Sequence, residues 1–179
     1  NANFGPQVLA LKNSGNLNKV MASSRDEKLV GTEPETFQLK FKVKKPSSLH
    51  LLEKRVVIPV NEKDMRIKMD LELEFDKSKK VGHTFNVYIN TPDATFITGS
   101  EAPGFVGPLA IFDHVHGSES RTITNSFDVT DVLNRLKASD DYDPKKLSVT
   151  IVPKGGIRGG VRVKPTGGAP ITVKSVNLR

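Results

Sequence analysis

The sequence predicts an all-β fold, an antiparallel β-sandwich of the jelly-roll-like type, and three observations support this prediction. Apolar and polar residues alternate with a period of two over several segments, and Gly and Pro turn signals separate these segments. One stretch, near residues 128–138, has the apolar spacing of a short amphipathic helix. No cysteine occurs among the 179 residues, so the fold depends on packing and hydrogen bonds rather than on disulfides.

Two segments with different patterning divide the chain. Residues 1–36 are rich in Asn, Ser, Gly and charge and show no sustained period, so they are interpreted as an extended linker that lies on another surface. Alternation begins at Phe37, and residues 37–179 form the predicted C-terminal β-sandwich domain. A polar, weakly patterned linker is also where a protease enters most easily.

The strands of this domain are predicted from alternation. Residues 65–75 give the clearest pattern, because every odd position is apolar and every even position between them is charged. The other predicted strands are residues 37–43, 55–60, 84–90, 121–127, 147–152, 161–164 and 171–178. Asp128 is the predicted N-cap of the helix. The apolar face of this helix consists of Val129, Val132, Leu133 and Leu136.

A loop-rich excursion is predicted for residues 91–120, and its centre is unusually apolar. The segment from Phe105 to Phe112 carries six apolar side chains among Gly and Pro residues. Exposure of these side chains to water would cost roughly 25 cal/mol per Å² of apolar surface. We therefore expect another surface to cover this segment.

The charge is unevenly distributed. The net charge is +7, yet residues 144–179 carry eight basic and no acidic side chains, whereas residues 91–143 carry three basic and nine acidic ones. A basic segment can bind nucleic acid, but single-strand binders need exposed aromatic residues, and the chain has no Trp and two Tyr. Solvated strand faces are the favoured interpretation, and no nucleic-acid partner is predicted. No apolar run approaches the roughly 20 residues of a membrane span, so no membrane contact is predicted either.

His114 and His116 are the one histidine pair with the spacing of metal ligands. In an extended chain their imidazoles would lie on one face, with Cα atoms about 7 Å apart. Two imidazoles can bind copper or zinc, but no third ligand is identified, so both residues are weak metal candidates. A loop pair that is solvated or bonded to the backbone is favoured. No pattern of catalytic residues or of a cofactor site occurs elsewhere, and no catalytic residue is predicted.

Several motifs together resemble one family, the C-terminal domain of tyrosinases and polyphenol oxidases. The segment Phe85-Asn86-Val87-Tyr88-Ile89-Asn90 is similar to the Lys-Phe-Asp-Val-Tyr-Ile-Asn motif of that domain. The family order continues with Phe105-Val106-Gly107 and then His114-Val115-His116-Gly117. Further similar elements are residues 43–46, 128–136, 149–154 and 159–163. The resemblance covers roughly residues 37–179.

The resemblance implies a shielding domain that covers the type-3 dicopper site of an attached oxidase until proteolysis or a conformational trigger exposes it. The partner would be the catalytic tyrosinase domain, within the same proenzyme or as a cleaved fragment. The dicopper centre would lie in that partner, because the family uses six histidines for two coppers and this chain has four. The resemblance also implies a secreted, periplasmic or organellar lumenal location, together with the parent enzyme.

In this family a bulky side chain on a loop enters the substrate pocket as a placeholder. Phe112 is the first candidate for this role, because an aromatic ring can occupy a phenol pocket, and Leu109 and Ile111 are the next candidates. The alternative interpretation of Phe112 is an ordinary core residue. The alternative function is a free-standing secreted β-sandwich that binds a protein or a carbohydrate, although the scarcity of Trp and Tyr disfavours a sugar platform.

Overall fold

The computed structural model describes residues 20–41, 66–76, 79, 81, 84–109, 111, 120–138 and 142–179. The elements in chain order are β1 Ala22–Ser24, β2 Lys28–Val30, β3 Glu35–Gln38, β4 Lys40–Phe41, β5 Lys68–Asp76, β6 Phe85–Ile89, β7 Phe105–Leu109, β8 Ser120–Asp128, α1 Thr130–Lys137, β9 Ser148–Pro153, β10 Gly156–Arg158, β11 Val161–Val163 and β12 Ile171–Leu178. A 3₁₀ turn at Pro144–Lys146 precedes β9. No helix among these residues is long and apolar enough to cross a membrane.

The large sheet has the strand order β4-β1-β12-β5-β8, and β2 also pairs with β12. All pairings between these strands are antiparallel. β5 confirms the clearest prediction, since Met69, Leu71, Leu73 and Phe75 are buried while the charged residues between them are half-buried. β1 and β2 come from residues 22–30, which the sequence pattern assigned to the linker. Strands of three residues are too short to show a period, and pairing with β12 places them in the sheet.

The small sheet has the order β3-β9-β6-β7, and it is also antiparallel. The predicted strand at residues 37–43 is divided between the two sheets, because β3 pairs with β9 whereas β4 pairs with β1. Phe37 and Leu39 are nevertheless buried, as the alternation predicts. β7 lies in the segment predicted to be loop, where Gly107 and Pro108 obscured the strand signal. The predicted strand at residues 55–60 lies outside the described residues.

One hydrophobic core joins the two sheets, which confirms the antiparallel sandwich. Met69, Leu71 and Leu73 of the large sheet belong to the same buried cluster as Phe85 and Ile151 of the small sheet. Helix α1 adds its predicted apolar face, and all four of its residues are buried: Val129, Val132, Leu133 and Leu136. The N-cap is Val129 rather than Asp128. Asp128 still supports the helix start, because its Oδ1 accepts a hydrogen bond from the Thr130 amide at 3.1 Å.

The other face of the small sheet is covered by residues 91–104. Tyr88, Val152 and Ala94 form a second buried cluster there, against which Phe105 packs. The Tyr88 hydroxyl donates a hydrogen bond to the Thr98 carbonyl at 2.8 Å, and the Tyr88 and Phe105 ring centroids lie 5.4 Å apart. This excursion therefore explains why every residue of β9 is buried, although one side of its sheet faces away from the main core.

Candidate functional site

The segment that carries the predicted placeholder residues joins β7 to β8. Leu109 ends β7 opposite Phe85, and Ser120 begins β8 opposite Asp76. Since β5 ends at Asp76 and β6 begins at Phe85, the end of β7 and the start of β8 lie at the same end of the sandwich. β9 ends at this same end, opposite Phe85 at Pro153. It leads into a two-stranded ribbon of β10 and β11, so we call this the ribbon end.

Two of the three predicted placeholder residues, Leu109 and Ile111, lie within the described residues. The Leu109 side chain is 1% exposed and belongs to the main core. Ile111 is half-buried and packs against that core. Phe112 lies outside the described residues, as do His114 and His116. The core of this domain thus already buries part of the apolar segment 105–112, which the sequence analysis expected another surface to cover.

Metal ligation is not supported by the described part of the chain. There, no three His, Cys, Asp or Glu side chains converge into a group that could hold a metal ion. All four histidines, His50, His83, His114 and His116, lie outside the described residues. Four histidines do not match the six of a type-3 copper pair, so the donor set of this chain does not fit that centre. The weak metal assignment of His114 and His116 stays a prediction.

The Phe85–Asn90 motif has a structural role at the centre of the small sheet. Phe85, Val87 and Ile89 face the main core, and Tyr88 faces the covering excursion. Burial raises the pKa of Tyr88, so the neutral phenol remains a hydrogen-bond donor. Asn90 has a positive φ of 49°, and its Oδ1 accepts from the Ser148 amide at 2.9 Å while its own amide donates to the Ser148 carbonyl. Asn tolerates this conformation better than most residues, and the paired hydrogen bonds end the strand at the start of the excursion.

A cationic groove at the ribbon end was not predicted. It has a volume of 530 Å³ and is lined by Thr84, Lys154, Gly155, Gly156, Arg158, Val163, Lys164, Pro165 and Thr166. The sequence signal was present in the basic C-terminal segment, which was interpreted as solvated strand faces. The sequence could not predict the register of the hairpin, which makes Arg158 and Lys164 line the same groove.

An ion pair on the outer face of the large sheet joins three strands. Asp70 on β5 accepts hydrogen bonds from Arg179 Nε at 2.5 Å and from the Ser126 hydroxyl of β8 at 2.6 Å, and Arg179 directly follows β12. Burial raises the pKa of Asp70, but these hydrogen bonds outweigh burial and hold that pKa below the ordinary value of 3.8. The ionised carboxylate is therefore the form that stabilises the fold.

We expect Asp70→Asn to lower stability at neutral pH and to flatten its acid dependence. A folded-state pKa below 3.8 contributes stability that is fully present above pH 3.8 and is lost as the pH falls through the lowered value. The difference in unfolding free energy between wild type and variant should therefore shrink below pH 3.8, as measured by urea unfolding from pH 2 to 7. Asp93→Asn is a matched control on the exposed excursion. A constant difference across this range would contradict the assignment.

A model of the chloroplastic polyphenol oxidase C-terminal domain family matches residues 58–167. Among solved structures, latent apple tyrosinase is similar at a TM-score of 0.50 and 18% identity, and the match covers 86% of this chain and 27% of that chain. Latent aurone synthase, a polyphenol oxidase, is similar both from its natural source (TM-score 0.48, 20% identity, 84% of this chain and 25% of that chain) and as a recombinant protein (0.49, 21%, 82% and 24%). This chain thus spans about a quarter of the length of these solved proteins. None of the curated proteins matches it.

Proposed function

Because this chain belongs to the family of chloroplastic polyphenol oxidase C-terminal domains, we propose that it shields the active site of an attached phenol oxidase. The catalytic domain would hold the dicopper centre, which supplies the oxidation of phenols when copper is bound. The proposed role of this chain is to exclude substrate. It keeps phenols out of the substrate pocket until cleavage or a conformational trigger moves it away. The alternative, a free-standing binding module, has no support from the family match.

The observation that carries this proposal is the family match over residues 58–167, which includes the whole segment between β7 and β8. Both ends of that segment are fixed by strand pairing, at Leu109 and at Ser120. These two pairings fix where the ten-residue connection starts and where it ends on the sandwich. Leu109 and Ile111 already pack within this domain, so Phe112 remains the first candidate for the placeholder and these two remain the fallbacks.

Activating cleavage should not occur between residues 22 and 30 while the domain is folded. β1 and β2 pair with β12, so a protease that cuts between residues 22 and 30 would first have to pull these strands from the large sheet. The family description is chloroplastic, which favours the organellar alternative among the expected locations.

We expect Phe112→Ala in the full-length proenzyme to raise diphenol oxidation before any activating treatment. Phe112→Leu keeps a bulky apolar side chain and should remain closer to latent, so it is the matched control. Oxidation of a monophenol and of a diphenol is measured before and after limited proteolysis. The fully activated rates should be equal for all three proteins, since Phe112 contributes no chemistry. Unchanged latency in Phe112→Ala would remove the placeholder assignment.

A separate measurement tests shielding itself. The copper-loaded catalytic domain is assayed with and without this chain added in trans, and retention of the catalytic domain on the immobilised chain is recorded. Inhibition together with retention supports shielding. Neither inhibition nor retention would mean that the family membership does not carry this function.

A further inference from the structure

The ribbon of β10 and β11 is the most exposed apolar and cationic structure among the described residues. Ile157 is 73% exposed and Val161 is 65% exposed, and Ile97 at the tip of the covering excursion is 63% exposed. These are three of the four large apolar side chains that are strongly exposed in the described part of the chain, and the fourth is Leu29 of β2. Clustering of such residues marks an interaction surface, whereas a single one is ordinary.

The geometry of the ribbon is well defined. Gly159 and Gly160 form its two-residue turn, and their φ angles of 57° and 79° are those of a type I′ hairpin. Ile157 pairs with Arg162, and Arg162 Nη1 donates to the Ile97 carbonyl at 3.4 Å. Because cross-strand partners share a face, Ile157 and Arg162 lie on one side of the ribbon, and the Arg162 guanidinium connects this side to the backbone at Ile97.

The opposite side of the ribbon carries the groove. Arg158 pairs with Val161, and Arg158 lines the groove together with Lys154 and Lys164. Lys164 is paired with Glu33, but within the described residues no carboxylate forms an ion pair with Lys154, Arg158 or Arg162. Residues 154–166 contain four cationic side chains and no acidic one.

A hairpin exposed on both faces gains little stability by itself. The ribbon root is nevertheless fixed to the sandwich, because Lys154 donates its amide hydrogen to the Thr84 carbonyl at 2.7 Å and Gly155 lies against both Val163 and Phe96. A rigid base with an exposed apolar and cationic tip has the form of a docking arm. Ile157 lies beside Arg162 on one side and Val161 lies beside Arg158 on the other, so the complementary partner surface offers both apolar and acidic groups to the ribbon.

We propose that this ribbon is a docking arm that binds an acidic, partly apolar surface of the catalytic domain beside its substrate pocket. This inference rests on the proposed shielding function, which supplies the partner. Leu109 and Ser120 lie at the ribbon end, so a catalytic domain that covers this end of the sandwich also faces the ribbon. The placeholder then acts by occupancy, and the ribbon supplies the affinity and register that hold it in place.

The test uses the full-length proenzyme with two ribbon variants and two matched controls. The first variant is Arg158→Glu with Arg162→Glu, and the second is Ile157→Ser with Val161→Ser. Arg25→Glu and Leu29→Ser are the controls, because both residues are exposed and lie on the N-terminal β1–β2 segment. Measured quantities are latency before activation, the activated rate, and retention of the shielding fragment after the linker is cut, at low and high salt.

We expect both ribbon variants to weaken fragment retention at least tenfold and to lose part of their latency, with unchanged activated rates. High salt should weaken retention of the wild-type fragment, but it should reduce retention of the charge-reversed variant much less. The controls should match wild type. Amide exchange of residues 156–163 in the wild-type proenzyme, slow before activation and fast after it, gives a readout that does not depend on any variant folding.

Other outcomes separate the two proposals. If Phe112→Ala is active while the ribbon variants stay latent and retain the fragment, the docking arm is overturned and shielding stands. If the wild type is neither latent nor able to retain the fragment, shielding itself fails. Binding of anionic phosphatidylglycerol vesicles, or self-association in sedimentation, that only the ribbon variants abolish would assign the ribbon to a membrane or to a second copy, and would overturn the docking arm.

Discussion

Replacing Gly104 by alanine should destabilise this domain by about 3 kcal/mol and lower its melting temperature by about 10 °C. A Cβ at this position would overlap the carbonyl oxygen of Ile89 and the hydroxyl of Thr91. The Ile89 oxygen belongs to the backbone of β6, so it cannot move aside without disturbing the sheet. The Gly104 carbonyl also accepts a hydrogen bond from the Ile89 amide at 2.8 Å, which holds the two backbones in close approach.

Gly31→Ala is the matched control for this substitution. A Cβ at residue 31 would meet only Pro170 Cβ at 3.7 Å, an ordinary contact, and its φ is outside the left-handed region. Alanine there also restricts the unfolded chain, so the variant should be neutral or more stable by up to about 1 kcal/mol. Thermal and urea unfolding of both variants measure the contrast. Equal stability of the two variants would contradict the close approach at Gly104.

Phe85→Ala should cost about 3 to 5 kcal/mol, the usual loss for a large aromatic side chain in a packed core. Phe85 has no exposed surface, and its neighbours across the small sheet are Leu109 and Pro153. Stabilities of single domains are about 5 to 15 kcal/mol, so this one substitution would remove a large fraction of the total. Phe85→Leu refills part of the space and should lose only about 1 to 2 kcal/mol.

This second substitution also tests the link between stability and shielding. Phe85 is the cross-strand partner of Leu109, the last residue of β7 before the connection that carries the proposed placeholder. We therefore expect Phe85→Ala in the proenzyme to reduce latency at temperatures where the domain still remains folded, as followed by circular dichroism and diphenol oxidation together. Unfolding free energies that differ from wild type by less than about 1 kcal/mol would show that the ring does not fill this part of the core.

The periodic elements were predictable because their pattern reflects burial on one side. In β5, each apolar side chain between Lys68 and Asp76 faces the core and each charged one faces outward. The period of two in the sequence therefore directly gives the buried face of the strand. In the helix, Val129, Val132, Leu133 and Leu136 lie on one face for the same reason. The Phe85–Asn90 motif was likewise recognisable, since its residue types are set by local packing and by the positive φ of Asn90.

Short and irregular elements were not predictable. β1 and β2 have three residues each, and only pairing with β12 makes them strands. β7 contains Gly107 and Pro108, whose local preference is for a turn. Pairing with β6 nevertheless makes this segment a strand. The candidate site shows the same division: Leu109 belongs to an apolar run in the sequence, but the sandwich buries it and so leaves Phe112 as the first proposed placeholder.

The sequence by itself determined the all-β class, the helix near residues 128–138, the two-faced strands and the family, because these depend on short-range periodicity and on motifs in a fixed order. Only the tertiary structure decided which segments meet at the ribbon end. There the β9 terminus, the excursion tip at Ile97 and the four cations of residues 154–166 come together, although Ile97 and Arg162 are 65 positions apart. Such contacts arise from strand register and sheet packing, which depend on the whole chain at once. They therefore produce no local periodicity in the sequence from which they could be predicted.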